Sequence, residues 1–296
     1  MSERVLVTEA TGTVGRALLA GLTLRGAQPR AASRRAGIAL GPVETVQLDW
    51  EQPGSWAAAL EGAERLFLAL PERAMGAAPV GPFLQQAVAA GVHHVVLLSA
   101  LGVETEGQKT GMVAAEEAVR HSGIEWTILH PNTLMQAFSE GVFGRWLLER
   151  GEVVGSVGEA RVSFVGGRDV AAAAAVVLTE EGHDGKVYEL TGPEALTFAQ
   201  AVAHISSVAG HRFRYVDLPP SILRKVLVAS GVPEPRVDQL MLYFEGVRSG
   251  QHAILRDTVS WLIGRPPKRF ATFAREHAAR WFAAPEARVE RPAARY

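Results

Sequence analysis

The chain has no cysteine. That excludes disulfides, thiol nucleophiles and zinc–thiolate centres, and it fits a reducing, cytoplasmic setting. No tyrosine precedes Tyr188, so the N-terminal half has no phenol to offer. Neither sign of charge is in excess: 30 Lys and Arg face 31 Asp and Glu, for a formal net charge of −1. Basic residues gather only in short arginine pairs, so a broad nucleic-acid-binding face is not expected. Long hydrophobic runs are missing too. The longest, "VAAAAAVVL" at 170–178, reads as a buried helix face, well short of the ~20 residues that span a bilayer. "MSERVLV" lacks the pattern of a signal peptide, because a strand begins almost at once. His93, His94, His121 and His183 sit at expected loops or helix ends without metal-ligand spacing, so no metal is expected.

What is present is a chain of 296 residues, 48% hydrophobic and 21% charged. Such a chain builds one large globular domain or two intimate ones. Apolar runs at Val5–Val7, Val43–Leu48, Leu66–Leu70, Val95–Leu98 and Trp126–Leu129 alternate with helical patterns near 14–24, 53–61, 81–91, 111–122 and 132–139. Continuous apolar strands separated by helices indicate a parallel sheet covered on both faces. "AQPRAAS" at 27–33 is a poor strand by composition, but its place makes it the second strand. The expected fold is α/β: a Rossmann-type doubly wound sheet over 1–140, then an interleaved, smaller, mostly helical substrate lobe over 141–283. In that lobe Thr197 and Gln200 form a capping-box pattern. The Pro/Ala-rich stretch 284–296 reads as a flexible tail.

The first strand runs into Thr8-Glu9-Ala10-Thr11-Gly12-Thr13-Val14-Gly15. Gly12 and Gly15 have the spacing of the last two glycines of a dinucleotide fingerprint. Gly12 would let the backbone approach a pyrophosphate, and Gly15 would let the helix close on the strand. The N–H groups of Thr13 and Val14 would face the phosphates. Glu9 stands where the first glycine belongs. Its carboxylate either repels the pyrophosphate or rotates outward and is harmless. After the second strand come Ser33, Arg34 and Arg35 rather than an acidic residue. Arginines there suit a 2′-phosphate and so NADP, or they are a solvated pair. Asp49 and Trp50 flank an adenine or simply cap and fill a loop.

These pieces together resemble the NmrA-like group of atypical short-chain dehydrogenases/reductases, which includes type 2 NAD(P)H:quinone oxidoreductases and NADP-sensing regulators. The resemblance rests on the strand–turn–helix at 5–19, Arg34, "HHVVLLSALGVE" at 93–104 and "AAEEAVRHSGIEWTILHPNTLMQAF" at 114–138. It extends through "VSFVGGRDVAAAAAVVLTEEGHDGKVYELTGPEALTFAQ" at 162–200 to "LIGRPPKRFATFAREHAARWF" at 262–282. It implies NADP(H) near Gly12, Thr13, Val14, Gly15, Arg34, Leu70, Pro71, Ser99 and the Pro131–Asn132 turn. It implies a substrate pocket walled by Met112, Asn132, Met135, Phe138 and Phe164. Met135 and Phe138 also read as helix-face core.

Three residues depart from the family pattern. Glu9 is the first. Met112 holds the position, four before Glu116, where many members keep a lysine. His130 replaces the arginine of the family's Leu-Arg-Pro. His130, with Asn132 beside it, is the local candidate for proton transfer; the plainer reading is a histidine bonded to backbone at a strand end.

Three functions follow. One is NADPH-dependent reduction of a quinone or a similar aromatic or polyketide-like molecule. Another is a non-redox enzyme on the same scaffold, for cyclisation, coupling, isomerisation or dehydration, with cofactor binding weakened by Glu9. The third is an NADP-sensing regulator. The expected partner is a small aromatic or quinone-like substrate, not nucleic acid or membrane, and the expected state is a monomer or homodimer.

Overall fold

The computed structural model describes residues 3–35, 37–71, 79–103 and 111–282. The expected tail at 284–296 lies outside them. In chain order the elements are β1 (Arg4–Val7), α1 (Thr13–Leu24), β2 (Gln28–Ser33), β3 (Glu44–Gln47), α2 (Trp56–Leu60), β4 (Arg65–Leu68), α3 (Val80–Ala89) and β5 (His94–Leu98). Then come α4 (Gly111–Arg120), β6 (Glu125–Pro131), α5 (Val142–Arg150), β7 (Glu152–Gly155), β8 (Arg161–Val162), α6 (Gly167–Thr179) and β9 (Lys186–Leu190). The rest are β10 (Leu196–Thr197), α7 (Phe198–Ala209), β11 (Arg214–Asp217), α8 (Pro220–Ala229), α9 (Glu234–Arg248), α10 (Thr258–Ile263), α11 (Phe270–Glu276) and α12 (Ala279–Phe282).

The chain forms two compact units. One comprises Met1–Asn132, Gly167–Thr191 and Arg256–Pro266. Its sheet has seven strands in the order β3-β2-β1-β4-β5-β6-β9, every pairing parallel. This is the doubly wound order, in which the carboxyl ends of the strands carry the ligand. The central strands are short apolar runs because both faces are covered; β4 is buried at every residue. β2 is polar, and it holds its place by other means. Its Arg30, almost wholly buried, donates to the Glu61 carbonyl at 2.5 Å and pairs with Glu44 of the neighbouring β3 at 2.9 Å. The alanine-rich α6 lies against α1, where a Cβ on Gly21 would sit 3.4 Å from that of Ala175. Small residues on both helices permit that approach. The sheet takes its last strand, β9, from 186–190, beyond the first 140 residues.

The other unit comprises Thr133–Gly166, Gly192–Leu255 and Pro267–Tyr296. Two small pairs of strands, β7 with β11 and β8 with β10, brace a set of helices. Its core is aromatic: the Phe138 ring has Phe143, Phe164, Phe198 and Phe270 around it at centroid distances of 5.1–5.8 Å. Thr197 and Gln200 form the expected reciprocal cap at the start of α7. The helix expected over 132–139 is instead a single 3-10 turn at Met135–Phe138. The preceding backbone is extended and already hydrogen-bonded sideways: Val165 N–H donates to Thr133 O, and Met135 N–H donates to Val165 O. Residues engaged in that bridge cannot also start a helix.

Candidate active site

The phosphate loop is built from the end of β1. Thr8, fully buried, donates from Oγ1 to the Ala69 carbonyl and accepts from the Ala69 N–H, each at 2.8 Å. That reciprocal pair stitches the end of β1 to the end of β4 and so places Leu70 and Pro71, both buried. Sequence reading missed Thr8, although a threonine closing a buried strand is the available signal.

Glu9 follows with φ +47°, the one positive φ at a residue other than glycine among the described residues. This is the left-handed conformation that the first glycine of such loops supplies, and a side chain there costs about 1–2 kcal/mol. The turn is nevertheless made. Gly12 N–H donates to the Glu9 carbonyl at 2.9 Å. A Cβ on Gly15 would lie 2.4 Å from that same carbonyl oxygen, and one on Gly12 3.2 Å from it. Gly15 is therefore demanded by close approach, and Gly12 leaves little room for a side chain. α1 begins at Thr13 after the N-cap Gly12, which has no side chain to offer, and no acidic residue lies in its first turn. Val14 and Gly15 are buried while Gly12 is exposed. Arg16, one turn in, reaches back to the Thr11 carbonyl at 3.3 Å. It adds a cation beside the helix N-terminus that sequence reading did not single out.

Beyond β2, the backbone of Arg34 and Arg35 is fixed locally. Gln47 donates to the Arg34 carbonyl and Arg35 N–H donates to Ser33 Oγ, both at 3.3 Å. Both arginine side chains are exposed, and neither forms an ion pair among the described residues. Asp49 and Trp50 cap and fill the loop after β3. The Asp49 carboxylate accepts from Glu51 N–H and Gln52. Trp50 is buried edge-to-face against Phe83 and Trp56.

A buried polar cluster closes the ends of β5 and β6. Ser99 donates to Glu116 Oε1. His130 Nε2 lies 2.8 Å from the same oxygen, and Arg120 reaches the other carboxylate oxygen at 3.1 Å from one turn along α4. Glu116 is 1% exposed. Burial raises its pKa. The hydrogen bonds from His130 and Ser99, with the charges of His130 and Arg120, outweigh that and hold the carboxyl below its ordinary value. His130 is thus bonded to a carboxylate, not to strand-end backbone. Asn132, next along, is buried and its N–H donates to the Leu190 carbonyl. Pro131 is held at the strand end, its carbonyl accepting from Leu101 N–H.

Four of the residues expected to wall a pocket are buried. Met112 is packed in the apolar core of the sheet unit with Ala115 and Val119 of its own helix. Met135, Phe138 and Phe164 lie in the aromatic core of the other unit, none more than 1% exposed. There Phe138 and Phe164 pack ring against ring with Phe198 and Phe270 and so fill the core. In the same unit Thr133 Oγ1 and Tyr243 Oη are 2.8 Å apart, and burial pushes the phenol's pKa up, so it stays protonated. Among the described residues no group of three or more metal-ligating side chains converges. No described helix is long and apolar enough to cross a membrane.

Residues 10–181 match the family model described as NAD(P)H-binding. The chain belongs to this NAD(P)H-binding family. It is similar along nearly its whole length to the uncharacterized oxidoreductase YesF of Bacillus subtilis, at 33% identity over 94% of this chain and 96% of that one. It is 31% identical to an NAD(P)H azoreductase of Xenophilus azovorans, over 95% of this chain and all of the other. The fold matches that of the NADPH-dependent quinone oxidoreductase QOR2 of Escherichia coli, solved with NADPH. There the TM-score is 0.79 and the identity 27%, over 92% of this chain and 99% of that one. The likeness to NmrA-like short-chain dehydrogenases/reductases read from the sequence therefore holds. The left-handed Glu9 turn and the close approach that requires Gly15 fit the dinucleotide that this family binds.

Proposed function

We propose that this NAD(P)H-binding oxidoreductase takes NADPH and reduces a quinone or a similarly electron-poor aromatic small molecule. The observation that carries the reading is the φ of +47° at Glu9. The residue that argues against a nucleotide in the sequence adopts the backbone that a nucleotide loop needs. Gly12, Thr13, Val14 and Gly15 would hold the pyrophosphate at the start of α1, and Arg34 the 2′-phosphate. Leu70, Pro71, Ser99 and Pro131, at the ends of β4, β5 and β6, would flank the rest. Bound NADPH supplies a hydride. His130 and Asn132, at the end of β6, supply polar groups beside that strand end. An azoreductase and a quinone oxidoreductase among the relatives support a conjugated acceptor; the regulator NmrA, at 16% identity, and a nucleoside-diphosphate-sugar epimerase, also at 16%, share the fold alone.

The test is a binding titration of the purified chain with NADPH and NADH, followed by loss of nicotinamide absorbance with a naphthoquinone. NADPH binding in the micromolar range is expected. Arg34→Ala should weaken NADPH by about 10-fold, the value of one charge-assisted contact, and leave NADH within about twofold. No binding at millimolar NADPH would sink the proposal.

A further inference from the structure

We infer that Glu116 is a positioning residue that holds His130 as the proton donor to the reduced substrate, a reading that rests on the reductase function proposed above. Four observations carry it. Glu116 is buried to 1% exposure, and its Oε1 lies 2.8 Å from His130 Nε2. That oxygen also accepts from Ser99, and Arg120 holds the other oxygen at 3.1 Å. The carboxylate is therefore fixed on three sides, from β5, β6 and α4, and cannot rotate away from the imidazole. Finally, the pair lies at the carboxyl end of the parallel sheet, the end at which the β1 loop also stands.

The chemistry follows from the atoms. An anionic carboxylate accepts and so keeps a hydrogen on His130 Nε2. Proton exchange is left to Nδ1, which makes no hydrogen bond among the described residues. In the proposed reaction, the quinone would receive two electrons and one hydrogen as hydride from NADPH and become a hydroquinone monoanion. The Nδ1–H bond of the imidazolium then breaks, an O–H bond forms on the product, and His130 becomes neutral with Nε2–H still on Glu116. A solvent proton restores the imidazolium. Glu116 never gives up its charge; it stabilises that of the imidazolium. The charged groups facing His130 are Glu116 and Arg120 from α4 and, one strand over in register, Glu189, which is itself paired with Arg256 at 2.6 Å. An arginine at position 130 could make the same ion pair but holds its proton at any working pH.

The test uses the full chain with NADPH and 2-methyl-1,4-naphthoquinone, and separately histidine-selective 15N NMR of the ring tautomer without substrate. Glu116→Gln should weaken the preference for the hydrogen on His130 Nε2, because a carboxamide can donate as well as accept. It should also lower kcat about 10-fold, with KM and NADPH affinity within about twofold. His130→Arg, which sets a guanidinium against the carboxylate, should fold, bind NADPH and lose kcat by at least about 10-fold. It keeps the idea falsifiable if Glu116→Gln does not fold. An unchanged His130 tautomer in Glu116→Gln overturns the pairing whatever the substrate, and wild-type kcat in His130→Arg overturns the donor role. Absence of any quinone turnover in the wild type overturns the proposed function instead, and the tautomer still decides the pairing.

Discussion

The loop after β1 and the last residues of β6 stand at the same end of the sheet, and each carries a residue that departs from the family pattern. The two departures are of different kinds. At Glu9 the chemistry of the side chain is new but the backbone is not: φ is +47°, and the Glu9 carbonyl still closes the turn on Gly12. At His130 an imidazole, where the family pattern has an arginine, meets the buried Glu116 carboxylate at 2.8 Å. One departure is thus absorbed by backbone geometry at one strand end, and the other sets a new ring against a carboxylate at another.

The comparison is broken most sharply by removing the shape. Gly15→Val places a branched side chain where even a Cβ would be 2.4 Å from the Glu9 carbonyl. The turn must open. We expect NADPH binding to fall by more than about 100-fold and stability to drop by about 1–3 kcal/mol, the usual cost of overpacking. Thermal unfolding and NADPH titration measure the two. A Gly15→Val protein that binds NADPH normally would show that the loop's backbone is not what cradles the nucleotide.

Which parts of this were legible in the sequence follows the same division. The apolar strands were, because a strand covered on both faces has little choice but Val, Ile and Leu. β2 was legible only by its place: nothing in "QPRAAS" says that Arg30 will be buried between the Glu61 carbonyl and Glu44. The helix expected over 132–139 was misread because the apolar residues there face an aromatic core from a single turn, and the bridge to Val165 is invisible in the sequence. The glycines of the loop were found by spacing, but the left-handed Glu9 was not, since no side chain announces its own φ. The Glu116 cluster went unread because its members lie 17 and 14 residues apart along the chain. A glutamate one helical turn before Arg120, and a serine just past an apolar strand, were the available signals. Met135, Phe138 and Phe164 show the converse: large apolar residues look alike in sequence whether they wall a pocket or fill a core.

A second way to sharpen the comparison is to set His130 against the other buried histidines. His94, at the opposite end of β5, has Arg65 Nη1 3.2 Å from its Nδ1 where His130 has a carboxylate. Burial first, and then that cation, lower its pKa to about 4. His252, in the other unit, is lowered to about 4 by burial. For each, the folded state refuses a proton that the unfolded chain accepts near 6.5. Their contribution is complete above pH 6.5 and is lost as the pH falls toward 4. Urea unfolding should therefore show stability falling by on the order of 2 kcal/mol for His94 alone between pH 6.5 and 4.5. His94→Gln should flatten part of that slope. A slope unchanged in His94→Gln would mean that this histidine is not held neutral.

The smallest expected effect lies at Glu9 itself, and it separates charge from shape. Glu9→Gly removes the carboxylate and relaxes the left-handed backbone; Glu9→Gln removes the charge and keeps the strain. Relief of the left-handed cost, about 1–2 kcal/mol, is partly offset by the extra freedom that glycine gives the unfolded chain, about 0.4–1 kcal/mol, so Glu9→Gly should be stabilised by roughly 1 kcal/mol or less. The backbone already has the nucleotide-binding turn, so relaxing it gives the ligand nothing new. What remains is a half-buried charge near the phosphates, whose effect in partial contact with water is modest. Both variants should therefore tighten NADPH by the same small factor, about 2- to 5-fold, and the gain should shrink as salt is added. A large gain in Glu9→Gly with none in Glu9→Gln would mean that the loop is strained out of its binding shape. In that case backbone geometry would not have absorbed the departure after β1.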